Sequence, residues 1–241
     1  MKAYSISFTE KGQAIQTKIS EIFNGQGIET KEYFKGVKTF TGEAFQNSEI
    51  IVFVGAMGIA GRSIAPYIKS KDNDPAVIVV DEMGQYVIPV LSGHIGGANK
   101  NAVILAERLD AVPVITTATD VNEKLAIDNW AVENNFSILD IGKIKYISSA
   151  VLEDSKIALV ADNKNQYIAN KSKLLSKAYS NFVNYDIHKT DQITEQNVIV
   201  ISESCSKIKN KNTFNLCPKN IFIGMGCRRD KDVSEFEEFF L

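Results

Sequence analysis

Hydrophobic residues in the first half of the chain follow two alternating patterns. Short continuous runs, such as Ile50–Val54 and Ala76–Val80, are typical of strands that are covered on both faces of a sheet. Between such runs, apolar residues recur at helical spacing, as in Lys11–Phe23. Helices placed between buried strands predict an α/β fold with a mainly parallel, doubly wound sheet.

Other segments carry the same patterns and are separated by polar or glycine-rich stretches. Asn170–Lys177 predicts a weak helix, and another helix is expected to run through Ile68, with Pro66 in its first turn or at a kink. The polar segment Ser202–Asn220 is interpreted as a linker. The remaining strands are predicted at Ala3–Phe8, Tyr86–Val90, Val112–Ile115, Ile157–Val160 and Asn197–Ile201.

Composition divides the chain into three zones. Residues 1–128 are rich in glycine and β-branched runs and predict an N-terminal α/β domain. Residues 129–219 are rich in Lys, Asn and Ser and predict a smaller α/β middle domain with a linker. Residues 220–241 contain a short strand, a glycine turn and an apolar helix, so we expect them to be the truncated start of a C-terminal domain.

Charge and cysteine content narrow the function classes. The 27 basic and 29 acidic residues provide no basic excess for a nucleic-acid partner, and no apolar run is long enough for a membrane span. The N-terminus lacks an export signal, and the three cysteines lack metal or redox spacing, so a reduced cytoplasmic protein is expected. Two histidines exclude a histidine-rich metal centre, and His188 lies in a polar stretch typical of the surface.

The glycine loop Gly55–Arg62 is the first segment that suggests chemistry, because it follows a buried strand and precedes a helix. Glycines let an anionic ligand approach the backbone, and a helix start offers N–H groups and a positive dipole. The spacing of Gly55, Gly58 and Gly61 is not the dinucleotide fingerprint, but Asp81 follows Gly61 by 20 residues, where a ribose-binding acid would lie. Nucleotide binding and a purely structural turn are both open interpretations.

The second glycine loop, Ser92–Asn99, contains a histidine between glycines. His94 has few side-chain neighbours in sequence to pack against, which favours an accessible imidazole that could serve as a general base near neutral pH. The backbone N–H groups of Gly96, Gly97 and Ala98 are then expected to stabilise an oxyanion. The alternative is a structural histidine that bonds a neighbouring carbonyl group.

Acidic and hydroxyl side chains follow two other predicted strands. Asp81 and Glu82 are adjacent and therefore face opposite sides of a strand, where one of them could orient His94, activate water or cap a turn. Thr116–Asp120 closes another strand and is consistent with helix capping or with substrate contact. We expect the two glycine-lined helix starts to form one anion-attracting rim with His94 above it.

Four signatures along the chain resemble those of one enzyme family, the cobalt-precorrin-5A hydrolases of anaerobic cobalamin biosynthesis. They occur in the family's order, and the string S-G-H-I-G-G-A-N is the most specific of them. The signatures are Gly55–Arg62 with Ile64–Pro66, Val80–Glu82 with Leu91–Asn99, Thr117–Asp120, and Gly224–Arg229.

The resemblance implies an enzyme that opens the δ-lactone ring of cobalt-precorrin-5A and releases acetaldehyde, which gives cobalt-precorrin-5B. It also implies an N-terminal α/β domain, a variable middle domain and a C-terminal domain of which this chain holds only the start. The implied partner is a corrinoid substrate, and no protein cofactor is expected because the cobalt arrives with the substrate. A homo-oligomer, or contact with other cobalamin-pathway enzymes, is a further expectation.

The residues can be assigned roles in this chemistry. His94 would be the base and Glu82 the acid that protonates the macrocycle during carbon–carbon cleavage, with Asp81 beside it. A nucleotide-binding α/β domain of an oxidoreductase or transferase and a non-catalytic corrinoid-binding module are the alternatives. The expected substrate-binding residues are Gly55, Gly58, Gly61, Arg62, Ser92, Gly93, Gly96, Gly97, Asn99, Thr117, Thr119, Asp120, Arg228 and Arg229.

Overall fold

A six-stranded sheet occupies the first half of the chain. The computed structural model describes residues 1–70, 73–203, 208 and 211–219. In chain order the strands of the first sheet are β1 (Lys2–Ser7), β2 (Glu29–Phe34), β3 (Ile50–Val54), β4 (Ala76–Val80), β5 (Tyr86–Leu91) and β6 (Val112–Pro113).

The spatial order of these strands is β2-β1-β3-β4-β5-β6, and one pair runs against the rest. All neighbouring pairs are parallel except β4 and β5, which form an antiparallel pair with Val77 opposite Leu91. As a result β5 and β6 point in the direction opposite to β1–β4. This reversal decides where the loops after β5 and β6 emerge.

Helices cover both faces of the first sheet. Helices α1 (Glu10–Gly25) and α4 (Ala98–Leu109) pack on one face, and α2 (Val37–Asn47) and α3 (Met57–Ile64) pack on the other. The predicted α/β class with a mainly parallel, doubly wound sheet is confirmed. The hydrophobic pattern did not predict β2, because this edge strand is exposed or half-buried along its whole length.

Two local predictions in this half are wrong. Helix α3 ends at Ile64 and does not reach Ile68, so Pro66 follows the helix rather than beginning or kinking it. A proline after the last turn is a common stop, since its ring cannot continue the helix. Strand β6 is shorter than the predicted Val112–Ile115 and ends at Pro113.

A five-stranded sheet occupies the second half, in the order β7-β11-β10-β8-β9. Helices α7 (Ile144–Leu152) and α8 (Gln166–Ala178) cross between its strands. The segment interpreted as a linker contains a strand that pairs with two others, so that interpretation is wrong for residues 212–218. The strands are β7 (Phe136–Ile138), β8 (Ile157–Ala161), β9 (Phe182–Asp186), β10 (Asn197–Ile201) and β11 (Asn212–Pro218).

Two short helices, α5 (Ala118–Val121) and α6 (Ile127–Glu133), connect the two sheets. The hydrophobic core beneath the second sheet begins with Leu125 and Ile127. The predicted domain boundaries stay predictions, and the strand and helix expected in residues 220–241 lie outside the described residues. Within the described part of the chain, no helix combines the length and hydrophobicity that a bilayer crossing requires.

Candidate active site

The two glycine loops lie at opposite edges of the first sheet. The Gly55 N–H donates to Val80 O over 2.8 Å, at the carboxyl end of β4, whereas Ser92 Oγ donates to Asp74 O over 2.9 Å, just before β4 begins. These ends are about 13 Å apart for a strand of this length. The expected common rim is therefore wrong, because β5 runs antiparallel to β4 and carries its following loop to the other edge.

His94 lies between two aspartates that the chain supplies from downstream. Its Nε2 is 2.8 Å from Asp120 Oδ2, and its Nδ1 is 3.2 Å from Asp128 Oδ1. The side chains of His94 and Asp128 are 13% and 8% exposed, whereas that of Asp120 is 38% exposed. The imidazole is thus enclosed on the Asp128 side, and Asp120 forms the face of the cluster that is open to solvent.

This arrangement keeps a positive charge on the imidazole. The hydrogen bond to Asp128 outweighs desolvation and, with Asp120, raises the pKa of His94 to about 9. Burial would raise the pKa of Asp128, but the hydrogen bond and charge of His94 outweigh it and lower that pKa. At neutral pH the ring therefore donates from both nitrogens, and the expectation of a free base near neutrality is wrong.

Asn99 joins the cluster from the first turn of α4. Its Nδ2 donates to Thr117 Oγ1 and to Asp120 Oδ2, both over 2.9 Å. The structure therefore brings together four residues that the sequence singled out, from the segments that follow β5 and β6: His94, Asn99, Thr117 and Asp120. Thr119 lies beside them in sequence on α5 and is buried, and its hydroxyl has no hydrogen-bond partner among the described residues.

The backbone of the His94 loop is closed by its own hydrogen bonds. The N–H groups of Gly97, Ala98 and Asn99 donate to the carbonyl groups of His94, Ser92 and Gly93 respectively, over 2.9–3.2 Å. Gly97 and Ala98 therefore do not present free N–H groups, and their predicted role as oxyanion donors is wrong.

Close packing explains the small residues of this loop. A Cβ atom on Gly96 would lie 2.5 Å from Ser92 Cβ and 2.8 Å from Ser92 O, and one on Gly93 would lie 2.7 Å from Asn99 Oδ1. Gly97 precedes α4 with φ of 80°, a conformation that favours glycine. The glycines therefore allow Ser92 and Asn99 to pack closely against the backbone of the loop.

The Gly55 loop borders a separate cavity of about 360 Å³, at the point where the helices after β1 and β3 leave on opposite faces of the sheet. Open α/β sheets commonly bind ligands at such a crevice. The residues that line it are Phe8, Thr9, Val54, Gly55, Ala56, Ile59, Asp81 and Glu82.

The two acids at this edge are engaged locally and lie away from His94. The Asp81 carboxylate accepts the backbone N–H groups of Met83, Gln85 and Tyr86 over 2.6–2.8 Å, and Glu82 Oε2 accepts the Thr9 hydroxyl over 3.0 Å. Asp81 therefore caps a turn, which was one of the open interpretations.

The predicted cations are not part of the His94 cluster. The Arg62 guanidinium folds over Gly58, whose added Cβ would lie 3.5 Å from it, at the opposite edge of the sheet together with Gly61. Arg228 and Arg229 lie outside the described residues. The described residues also include no group of three or more His, Cys, Asp or Glu side chains arranged to hold a metal ion.

Sequence reasoning missed Asp128. The available signal was an acidic residue within a short apolar segment, since its neighbours Ile127 and Ala131 are fully buried. A carboxylate in such surroundings requires a charged or hydrogen-bonding partner. The sequence does not show which partner, because His94 lies 34 residues away.

Comparison with known proteins matches the part of the chain that holds His94, Asn99, Thr117 and Asp120. Residues 39–120 match the family described as Cobalamin synthesis G N-terminal. A cobalt-precorrin-5A hydrolase from Salmonella typhimurium is 34% identical over 195 residues, which cover 78% of this chain and 52% of that enzyme. One from Priestia megaterium is 27% identical, over 96% of this chain and 66% of its own length.

A solved structure is also similar to this chain over nearly its whole length. A cobalamin biosynthesis protein G homologue from Sulfolobus solfataricus superposes with a TM-score of 0.51 at 27% identity, over 99% of this chain and 67% of the other. The chain spans about half the length of the Salmonella enzyme. It is similar over most of its own length to the cobalt-precorrin-5A hydrolases.

Proposed function

We propose that the protein opens the δ-lactone of cobalt-precorrin-5A and releases acetaldehyde to give cobalt-precorrin-5B, with His94 and Asp120 as the catalytic residues. The relatives named as hydrolases support the reaction. The observation that carries the assignment is an imidazole paired on both sides with carboxylates, of which that of Asp120 faces solvent and that of Asp128 is buried. Such a cluster can accept one proton and donate another.

Lactone opening uses both groups. The Asp120 carboxylate takes a proton from water as the water oxygen bonds to the lactone carbonyl carbon. The ring carbon–oxygen bond then breaks, and the departing oxygen takes the proton of His94 Nε2. The proton on Asp120 can return to His94 across the 2.8 Å contact, which leaves a carboxyl group and an alcohol on the substrate.

Acetaldehyde release requires a second proton movement. The Asp120 carboxylate takes the proton of the new alcohol as its carbon–oxygen double bond forms, and the electrons of the broken carbon–carbon bond pass to the macrocycle. We assign the protonation of the macrocycle to His94 instead of Glu82, because Glu82 lies at the other edge of the sheet. The proposed reaction uses no resident cofactor, since the cobalt is part of the substrate, and we expect it to occur in the cytoplasm.

The test is acetaldehyde formation from cobalt-precorrin-5A in a single-turnover assay. His94→Ala and Asp120→Asn are each expected to lower the rate by about 10²-fold or more. His188→Ala, which alters an exposed histidine, is the matched control and should keep the rate. A full rate in either cluster variant would contradict the assignment, and corrinoid binding without acetaldehyde from the unaltered protein would favour a binding module.

A further inference from the structure

The two hydrogen bonds of His94 connect different parts of the molecule. His94 lies on the loop that follows β5 of the first sheet, whereas Asp128 lies on α6. The residues that flank Asp128 on this helix, Ile127 and Ala131, are fully buried in the core beneath the second sheet. Ile95, next to His94, also packs against that core. The loop Ser92–Asn99 therefore packs against the second half of the chain.

The contact with Asp128 is geometrically specific. Both carboxylate oxygens lie 3.2–3.3 Å from Nδ1, and one of them also accepts the Asn129 N–H over 3.1 Å. A carboxylate that is 8% exposed loses most of its hydration, so its pairing with a cation outweighs alternative orientations. Asp120, in contrast, is partly open to solvent and free to meet substrate.

We propose that Asp128 is the positioning residue of this site: it holds Nδ1–H, fixes the plane of the imidazole and so aims Nε2–H at Asp120. The second half of the chain then supplies one of the two carboxylates that pair with His94, and removing Asp128 should impair catalysis without removing any group that touches substrate. The catalytic meaning of this inference rests on the proposed function, but its first test does not use the reaction.

The first test is NMR titration of the histidine ring protons. The chain has two histidines, so His188 is an internal reference. In the unaltered protein His94 should titrate near pH 9. Asp128→Asn should lower this midpoint by about one pH unit or more, and by more than Asp120→Asn does. Glu133→Gln, on the exposed side of α6, is the control and should not move it. A midpoint in Asp128→Asn that equals the unaltered one overturns the inference.

A second measurement needs no variant. The Nδ1–H proton of His94 should give a resonance that exchanges with water more slowly than Nε2–H, because its partner is buried and that of Nε2–H is not. Equal and rapid exchange of both protons would overturn the inference even if Asp128→Asn does not fold.

Activity separates a positioning role from a merely structural one. Asp128→Asn should lower kcat with little change in KM and shift the basic limb of the pH–rate profile downward together with the NMR midpoint. Asp128→Glu keeps the negative charge and should therefore restore part of the lost kcat and part of the shift in the NMR midpoint. A shifted NMR midpoint with unchanged turnover would contradict the proposed use of His94 in the reaction, whereas an unshifted midpoint contradicts the role of Asp128.

Discussion

At the scale of single residues, the charge on His94 depends on carboxylates 26 and 34 positions further along the chain. The sequence singled out this histidine as a candidate base because a ring between glycines has few local packing partners, and the structure places it between two aspartates. Its protonation state was predicted wrongly, because the pKa of an imidazole depends on which charges surround it in space. Asp120 was expected to touch substrate, and the structure adds that it pairs with His94.

The raised pKa of His94 makes the stability of the protein depend on pH. Because the pKa is near 9 in the folded protein and about 6.5 when unfolded, the ion pairs stabilise fully below pH 6.5 and are lost as the pH rises through 9. The difference in the free energy of unfolding between the unaltered protein and His94→Gln should therefore shrink by up to about 3 kcal/mol from pH 6 to pH 10. Urea denaturation at both pH values measures it. If this difference in the free energy of unfolding is the same at both pH values, the neighbouring carboxylates do not raise the pKa of His94.

At the scale of elements, the loop from Ser92 to Asn99 shows how one pattern serves two purposes. Glycines before a helix were interpreted as a way to expose N–H groups to an anion. In the structure the loop closes on its own carbonyl groups, and the absent side chains allow Ser92 and Asn99 to pack closely. Both uses produce the same residues, so the sequence alone could not distinguish between them.

Gly96→Ala and Gly61→Ala test whether a glycine is required by close packing at each position. Gly96→Ala is expected to lower the free energy of unfolding by about 2 kcal/mol or more, since its Cβ would overlap backbone and side-chain atoms of Ser92. Gly61 lies inside α3 with no atom within 4 Å of an added Cβ, so Gly61→Ala should raise it by about 0.5–1 kcal/mol. Denaturant midpoints of the two variants give the comparison, and equal effects would contradict the packing argument.

At the scale of the whole molecule, the reversal of β5 separates two sets of residues that had been expected to act together. Gly55, Arg62 and Glu82 lie at one edge of the first sheet, and His94 and Asp120 lie at the other. The proposed catalytic residues His94 and Asp120 are therefore separated from the cavity beside Gly55 by about the length of a strand.

Double-mutant stability measurements can test this separation. The effects of His94→Gln and Glu82→Gln on the free energy of unfolding should add to within about 0.5 kcal/mol, because the two side chains share no partner among the described residues. His94→Gln and Asp128→Asn should deviate from additivity by about 0.5–3 kcal/mol, since these residues are in contact. Strong coupling in the first pair would mean that the two edges are linked.

The sequence by itself determined the α/β class, most strands and helices of the first half, and the resemblance to the cobalt-precorrin-5A hydrolases, because buried strands, amphipathic helices and the signature strings are local patterns. It did not reveal β11, since the buried polar residues Thr213 and Asn215 give that strand the composition of a linker. Only the tertiary structure decided the direction of β5 and the partners of His94. The hydrophobic pattern of a strand is the same whether the strand runs parallel or antiparallel to its neighbour. A hydrogen bond between residues 34 positions apart cannot be predicted from the spacing of residues within one segment.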